Sequence, residues 1–298
     1  MKILVTGATG FVGSRLVQRL AGSGASVRVL LRNRARAQVP AGVEVVEADV
    51  TRADSLPPAL AEITHVVHCA AITANLKEPY RQAYDDINRV GTKNLVAAAR
   101  SAAVERLVVM SGIVICPAPA GSYMATRCGM EAAVKAGGIP HVILEPSVLF
   151  GDGAEFIRAL AGVARWSPVM PLIGGGGLRF QPLWIDDLLT CLEKSLTSES
   201  VLGRSIPLGG AEYATFAEVN RTILEALHIR RLLLPVPLWV MKIQAALMAA
   251  VLAHPPLTPA TLELFGFENA AELDGVEHNF GFKPRAFREH LLAHGIDG

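Results

Sequence analysis

Gly7-Ala8-Thr9-Gly10-Phe11-Val12-Gly13 is the stretch that decides the fold. It follows a short apolar run, Lys2–Thr6, and opens a helical pattern in which Val12, Leu16, Val17 and Leu20 share one face. An isolated glycine pattern is an ordinary turn. Between a strand and a helix, the three glycines provide a tight turn, close approach of backbone to a pyrophosphate, and close helix–strand packing. The free N–H groups and partial positive charge of the helix N-terminus then face the phosphates. The loop therefore implies a dinucleotide held at Gly7, Thr9, Gly10, Phe11, Val12 and Gly13.

Outward from this loop, apolar runs alternate with helical patterns through the first half of the chain. The runs Ser26–Leu31, Val43–Val46, His65–Cys69, Arg106–Met110 and His141–Leu144 read as strands buried on both faces, and Leu95, Val96 and Ala99 mark a later helix. Right-handed crossovers order such strands as an α/β, doubly wound parallel sheet of the Rossmann type, expected over residues 1–150. After Phe150, prolines and glycines multiply, from Pro168 and Gly174–Gly177 to Pro255, Pro256 and Pro259. Residues 151–298 are expected to form a smaller, mostly helical substrate-side region over the carboxyl ends of the strands, with some segments returning to the core sheet.

The totals exclude several classes. With 51% hydrophobic and 18% charged residues the chain can bury a large core, and long disordered segments are not expected. A formal net charge of +1, with only a short arginine group near residue 32, gives no footprint for nucleic acid. Cys69, Cys116, Cys128 and Cys191 show no paired spacing and read as buried thiols of a reducing compartment. Apolar residues run straight into the glycine loop without an export signal, so the expected location is cytoplasmic. Much of the positive mean hydropathy, +0.36, comes from residues 232–253, LLLPVPLWVMKIQAALMAAVLA. Two prolines, Lys242 and Gln244 interrupt it, leaving less than the roughly 20 apolar residues that span a bilayer. It reads as one buried or interface helix, suited to a hydrophobic substrate, a protein partner or a membrane surface.

The end of the second strand bears on which dinucleotide binds. An NAD site usually carries Asp or Glu there to bond the ribose 2′-hydroxyl, whereas this strand ends Leu31-Arg32-Asn33-Arg34. A guanidinium bonds a 2′-phosphate through two N–H groups. Arg32 therefore favours NADP, with NAD the alternative.

At this point the chain resembles a known family. The loop TGATGFVG, the segment Glu47-Ala48-Asp49-Val50, the stretch Asn88-x-x-Gly91-Thr92-x-Asn94 and Tyr123 are similar to the extended and atypical short-chain dehydrogenases/reductases of the epimerase/dehydratase type. PSVLFGDG (146–153), SPVMPLIGGGGLRFQPLWIDDL (167–188) and NFGFKPRAF (279–287) most resemble the branch of the NADPH-binding accessory subunit of respiratory complex I and its bacterial relatives. The resemblance implies that Asp49 bonds the adenine amino group and that Ala70 and Ala71 line the cofactor. It also places Val50, Asn88, Pro146 and Val148 among the cofactor positions. Tyr123 would exchange a proton with the substrate while the nicotinamide exchanges a hydride, and Ser111 would polarise the substrate oxygen. A cation beside the phenol favours its ionised form. Family members place a lysine four residues after the tyrosine; here it is Arg127, and Gly112-Ile113 replaces a hydroxyl-rich run.

Other candidates read as structure. Asp186 and Asp187 suit a helix start, and no His or Cys set converges with them for a metal. His65 and His68 flank an apolar strand as core or loop residues, and Gly174–Gly177 reads equally as a phosphate cradle or a flexible turn. The expectation is an NADP(H)-binding oxidoreductase or epimerase/dehydratase acting on a small carbonyl, sugar or lipid-like substrate. The alternative is a non-catalytic, cofactor-bound accessory or assembly subunit of a membrane-associated respiratory complex. The oligomeric state is left open.

Overall fold

The computed structural model describes residues 1–36, 38–253 and 255–296. In chain order the first half runs β1 (Lys2–Thr6), α1 (Phe11–Gly22), β2 (Ser26–Leu31), β3 (Glu44–Glu47), α2 (Leu56–Leu60), β4 (His65–His68), α3 (Gly91–Ser101), β5 (Arg106–Met110), α4 (Tyr123–Ala136) and β6 (His141–Pro146). It continues β7 (Leu149–Phe150), α5 (Glu155–Trp166), β8 (Val169–Ile173), β9 (Arg179–Phe180), β10 (Leu183–Trp184), α6 (Ile185–Ser195) and β11 (Arg204–Leu208). The remainder is β12 (Ala214–Thr215), α7 (Phe216–Ala226), β13 (Leu232–Val236), α8 (Leu238–Val251), α9 (Pro259–Glu263), α10 (Gly275–Phe280) and α11 (Phe287–His294).

Two compact units result. The first comprises Met1–Ile72, Glu78–Glu145 and Leu189–Ile206; the second comprises Thr73–Lys77, Pro146–Leu188 and the stretch from Pro207 onward. The first unit carries the seven-stranded sheet, ordered β11-β6-β5-β4-β1-β2-β3. The pairings β1 with β2 and β4, β2 with β3, β4 with β5 and β5 with β6 are all parallel. The order reverses at β1, so the crevice at the carboxyl ends of β1 and β4 is the topological switch point where such sheets hold ligands. The strands β1, β2, β4, β5 and β6 are buried on both faces, as their near-continuous apolar runs require, while the edge strands β3 and β11 are partly exposed. Leu4, Leu30, Val66, Leu107 and Ile143 from the strands pack with Leu95, Val96, Met130 and Val134 from α3 and α4 in one core.

The second unit holds α5, α7 and α11 around Phe150, Ile223 and Phe287, and a second cluster around Phe180, Phe216, Met241 and Leu262. Three two-stranded sheets, β7–β10, β9–β12 and β8–β13, lie between its helices. A capping box starts α7, with Thr215 and Glu218 bonding each other's backbone N–H.

Two sequence expectations need correction. The segment 232–253 is not one helix: Leu232–Val236 is a strand paired with β8, and the helix starts only after Pro237. Pro235 and Pro237 explain the break, since proline lacks the N–H that a helix interior needs. Cys116 and Cys128 are not thiols but a disulfide, because α4 returns Cys128 to a Cα distance of 5.8 Å from Cys116. That pairing removes the ground for expecting a reducing compartment; Cys69 and Cys191 form no disulfide. Among the described residues no helix is long and apolar enough to cross a membrane.

Candidate cofactor and active site

The glycine loop leaves β1 and turns into α1 at the switch point. Gly7 has φ +70°, and a Cβ there would lie 2.6 Å from Ala70 N and from the Cys69 carbonyl. A Cβ on Gly13 would lie 2.2 Å from Gly7 O. These two glycines are demanded by the loop's own packing. Gly10 is not: its φ is −82°, and an added Cβ meets only Gly7 O at 3.3 Å. Gly10 is the N-cap of α1, no side chain caps the helix, and its first turn carries no acid. Space and uncapped N–H groups thus coincide, and this cradle fits a pyrophosphate. Arg15 covers the Phe11 ring at 4.4 Å and bonds Phe11 O, adding a cation that the sequence pattern does not single out.

Around the loop, Val50 is buried and Asp49 is half-buried. Asp49 Oδ1 accepts from Thr51 N and Thr51 Oγ1, both at 2.9 Å, so one carboxylate oxygen is committed to the local turn. Asn88 is fully buried; its amide accepts from Ile72 N (2.8 Å) and donates to Ile72 O (3.0 Å). Asn88 therefore shapes the loop that carries the half-buried Ala70 and Ala71. Within the same stretch Asn94 donates to Val50 O at 3.0 Å, and a Cβ on Gly91 would lie 2.8 Å from Val50 Cγ2. Pro146 and Val148 belong to the second unit, where Val148 packs on the Phe180 cluster.

Arg32 is exposed just beyond β2, as the sequence implied. An acid that sequence reasoning missed lies next to it: Leu31 pairs with Glu47 across β2–β3, and Glu47 Oε2 accepts from Arg34 N at 3.4 Å. Only the strand register could reveal it.

Tyr123 is the first residue of α4, behind an N-cap Ser122 whose Oγ accepts from Ala125 N at 3.0 Å. The Tyr123 ring meets Tyr84 edge-on at 5.2 Å and is 8% exposed. One turn on, Arg127 is 4% exposed and donates to Met130 Sδ at 3.8 Å. Among the described residues no carboxylate forms a salt bridge with Arg127. A neighbouring network is neutral. Thr92 Oγ1 gives its proton to Asn88 O (2.6 Å), so it accepts from His68 Nε2, and His68 Nδ1 accepts from Thr6 Oγ1 at 2.7 Å. Burial and then the Arg127 cation push His68 down to about 4, so His68 is a satisfied core histidine. Burial likewise pushes the Cys69 thiol up to about 12.

Ser111 has a partner within the protein. Its hydroxyl donates to Glu131 Oε1 at 2.7 Å, on α4 two turns after Tyr123, so its single proton is committed within the protein. Glu131 also pairs with Lys135 at 3.2 Å. Behind it, burial first and Glu131 second push Glu145 up to about 7. These two acids escaped sequence reasoning, although Glu131 stands eight residues after Tyr123 on the buried face of one helix. The remaining structural readings hold for His65, half-buried against Thr64, and for Asp186 and Asp187 in the first turn of α6. Gly174–Gly176 forms a turn with positive φ throughout. Among the described residues no group of three His, Cys, Asp or Glu converges as a metal site.

A family model described as NAD(P)H-binding matches residues 7–161, which include the glycine loop, Tyr123 and Arg127. The chain belongs to this NAD(P)H-binding family. It is an extended short-chain dehydrogenase/reductase. This dehydrogenase/reductase is 28% identical to 3 beta-hydroxysteroid dehydrogenase/Delta 5-->4-isomerase of Mycobacterium tuberculosis, over 95% of this chain and 86% of that protein. It is 24% identical to the mitochondrial NADH dehydrogenase [ubiquinone] 1 alpha subcomplex subunit 9 of Arabidopsis thaliana, over 72% of this chain and 55% of that protein. Its fold matches UDP-glucuronic acid 4-epimerase of Bacillus cereus, solved with NAD, at a TM-score of 0.75 and 20% identity, covering 100% of this chain and 98% of that one.

Proposed function

We propose that this dehydrogenase/reductase is an NADP(H)-dependent oxidoreductase of small lipid-like alcohols or carbonyl compounds, with Tyr123 as its acid/base. One observation carries the reading. Tyr123 and Arg127 lie one turn apart on the buried face of α4, and the Arg127 charge has no carboxylate partner among the described residues. A buried unpaired cation is costly, and such a cost persists where a ligand's polar groups complete the site. NADP(H) supplies the hydride when bound. The chain's own residues hold the proton on Tyr123 Oη, keep positive charge beside it at Arg127, and fix the Ala70–Ala71 loop through Asn88. Similarity to a steroid dehydrogenase over nearly the full chain supports an apolar substrate, and the exposed Arg32 supports the 2′-phosphate form of the cofactor.

The test is consumption of NADPH against a panel of ketosteroids and long-chain ketones. Tyr123→Phe should lower kcat by about 10²–10⁴-fold with folding and NADPH affinity retained. Arg127→Met should weaken both NADPH binding and turnover, whereas Arg127→Lys should keep both. Full activity in Tyr123→Phe rules out the acid/base assignment. Arginine in place of the lysine that other family members carry favours a second reading, the non-catalytic accessory subunit. On that reading the cofactor stays bound and no member of the panel changes its redox state.

A further inference from the structure

An exposed apolar stripe runs the length of α8, with the exposed Lys242 and Gln244 beside it. Trp239, Ile243, Leu247 and Val251, spaced four residues apart, are 66%, 56%, 65% and 83% exposed. The inward side is formed by Leu238, Met241 and Ala245, which pack with Leu233 and Val236 of β13 in the Phe180 cluster. β13 turns Leu232 and Leu234 outward from that same cluster. At its start, Leu232 N donates to Pro168 O and Arg231 Nε donates to Ala164 O, so β13 begins beside Trp166, which is 91% exposed. An ordinary surface helix keeps charged residues opposite its buried stripe. Here the outward arc carries one charge, Lys242, at its margin.

The segment that carries this face has charges of one sign. No Asp or Glu occurs anywhere in residues 226–262. Arg165 flanks Trp166, Arg230 and Arg231 precede β13, Lys242 rides on α8, and Lys77 Nζ bonds Leu252 O at the far end of the helix. The cores of protein–protein interfaces are depleted in lysine. Tryptophan with Lys and Arg beside an apolar face is the composition of a membrane–water interface. Fourteen residues of helix fall short of the roughly 20 needed to span a bilayer, so the helix lies in the surface rather than across it.

We propose that α8, β13 and Trp166 form a docking face for an anionic lipid surface, with Trp239, Ile243 and Leu247 entering the headgroup layer. The experiment is sedimentation of the full chain with vesicles of phosphatidylcholine alone and of phosphatidylcholine and phosphatidylserine in equal parts. The chain should partition onto the anionic vesicles, each basic residue near the surface contributing roughly fivefold. Raised salt should weaken that binding. A Trp239→Ser/Ile243→Ser/Leu247→Ser variant should lose it by roughly a hundredfold or more, through the lost apolar burial. NADPH binding and circular dichroism should be unchanged in this variant, because the three side chains lie outside the core. No sedimentation of the wild type with anionic vesicles overturns the proposal, as does equal binding by the variant. So does a wild-type dimer, seen without lipid by ultracentrifugation, that the three substitutions dissociate; the face would then belong to a second copy.

Discussion

At the scale of single residues, the proposed preference for NADP sets two side chains at the ends of adjacent strands against each other. Arg32 follows β2 and would offer a paired N–H donor to a 2′-phosphate; Glu47, which pairs with Leu31 across β2–β3, would repel that phosphate. Arg32→Ala should therefore weaken NADPH far more than NADH, since one charge-assisted hydrogen bond contributes about 1.5–3 kcal/mol, or roughly ten- to a hundredfold in affinity. Glu47→Gln should act in the opposite sense and tighten NADPH by roughly two- to fivefold, the scale of an exposed charge pair. Titration calorimetry with both cofactors reads both effects. Equal losses for NADPH and NADH in Arg32→Ala would show that the arginine does not touch the 2′-position.

At the scale of elements, the β1–loop–α1 unit separates binding from folding. A side chain at Gly13 would occupy the space of Gly7 O, and a side chain at Gly10 would occupy only the space above the helix N-terminus. Gly10→Val should abolish cofactor binding while circular dichroism and the melting temperature stay near those of the parent. Gly13→Val should instead destabilise the protein outright, by the several kcal/mol typical of overpacking against backbone, about 1–3 or more. If Gly10→Val bound NADPH normally, the pyrophosphate would have to lie elsewhere. The α4 helix shows the complementary case. Its buried face carries Tyr123, Arg127, Met130, Glu131 and Val134, so one amphipathic element delivers the proposed phenol and cation at one end and core packing at the other.

At the scale of the whole molecule, the Glu131–Glu145 pair couples stability to pH. Glu145 has its folded value raised from 4.5 to about 7, chiefly by burial and then by Glu131. The folded protein therefore holds a proton that the unfolded chain releases between these values. The resulting stability is fully present below 4.5 and is lost as pH rises through about 7. Glu145→Gln keeps the shape and removes the titration. Relative to this variant, the wild-type melting temperature should fall between about pH 5 and about pH 8, by roughly 2–4 °C for each kcal/mol involved. A constant difference across that range would mean that Glu145 is ionised throughout.

Local sequence determined most of the first unit. Strand runs buried on both faces, helix stripes such as Val12, Leu16, Val17 and Leu20, and the three glycines are properties of neighbouring residues, and they reached the fold because each choice agreed with the next. The glycine loop was legible for the same reason, whereas Tyr123 and Arg127 were singled out by the family resemblance, and the structure sets them one turn apart on the buried face of α4. What only the tertiary structure decided depends on residues far apart in the chain. The register that sets Glu47 beside Leu31, the bond from Ser111 to Glu131, and the clasp of Asn88 on Ile72 are long-range pairings with no periodic signature. The Cys116–Cys128 link and the split of residues 232–253 into a strand and a helix also depended on partners outside the segment. β13 is a strand because β8 offers it a hydrogen-bonding edge, and an apolar run alone does not say whether such an edge exists.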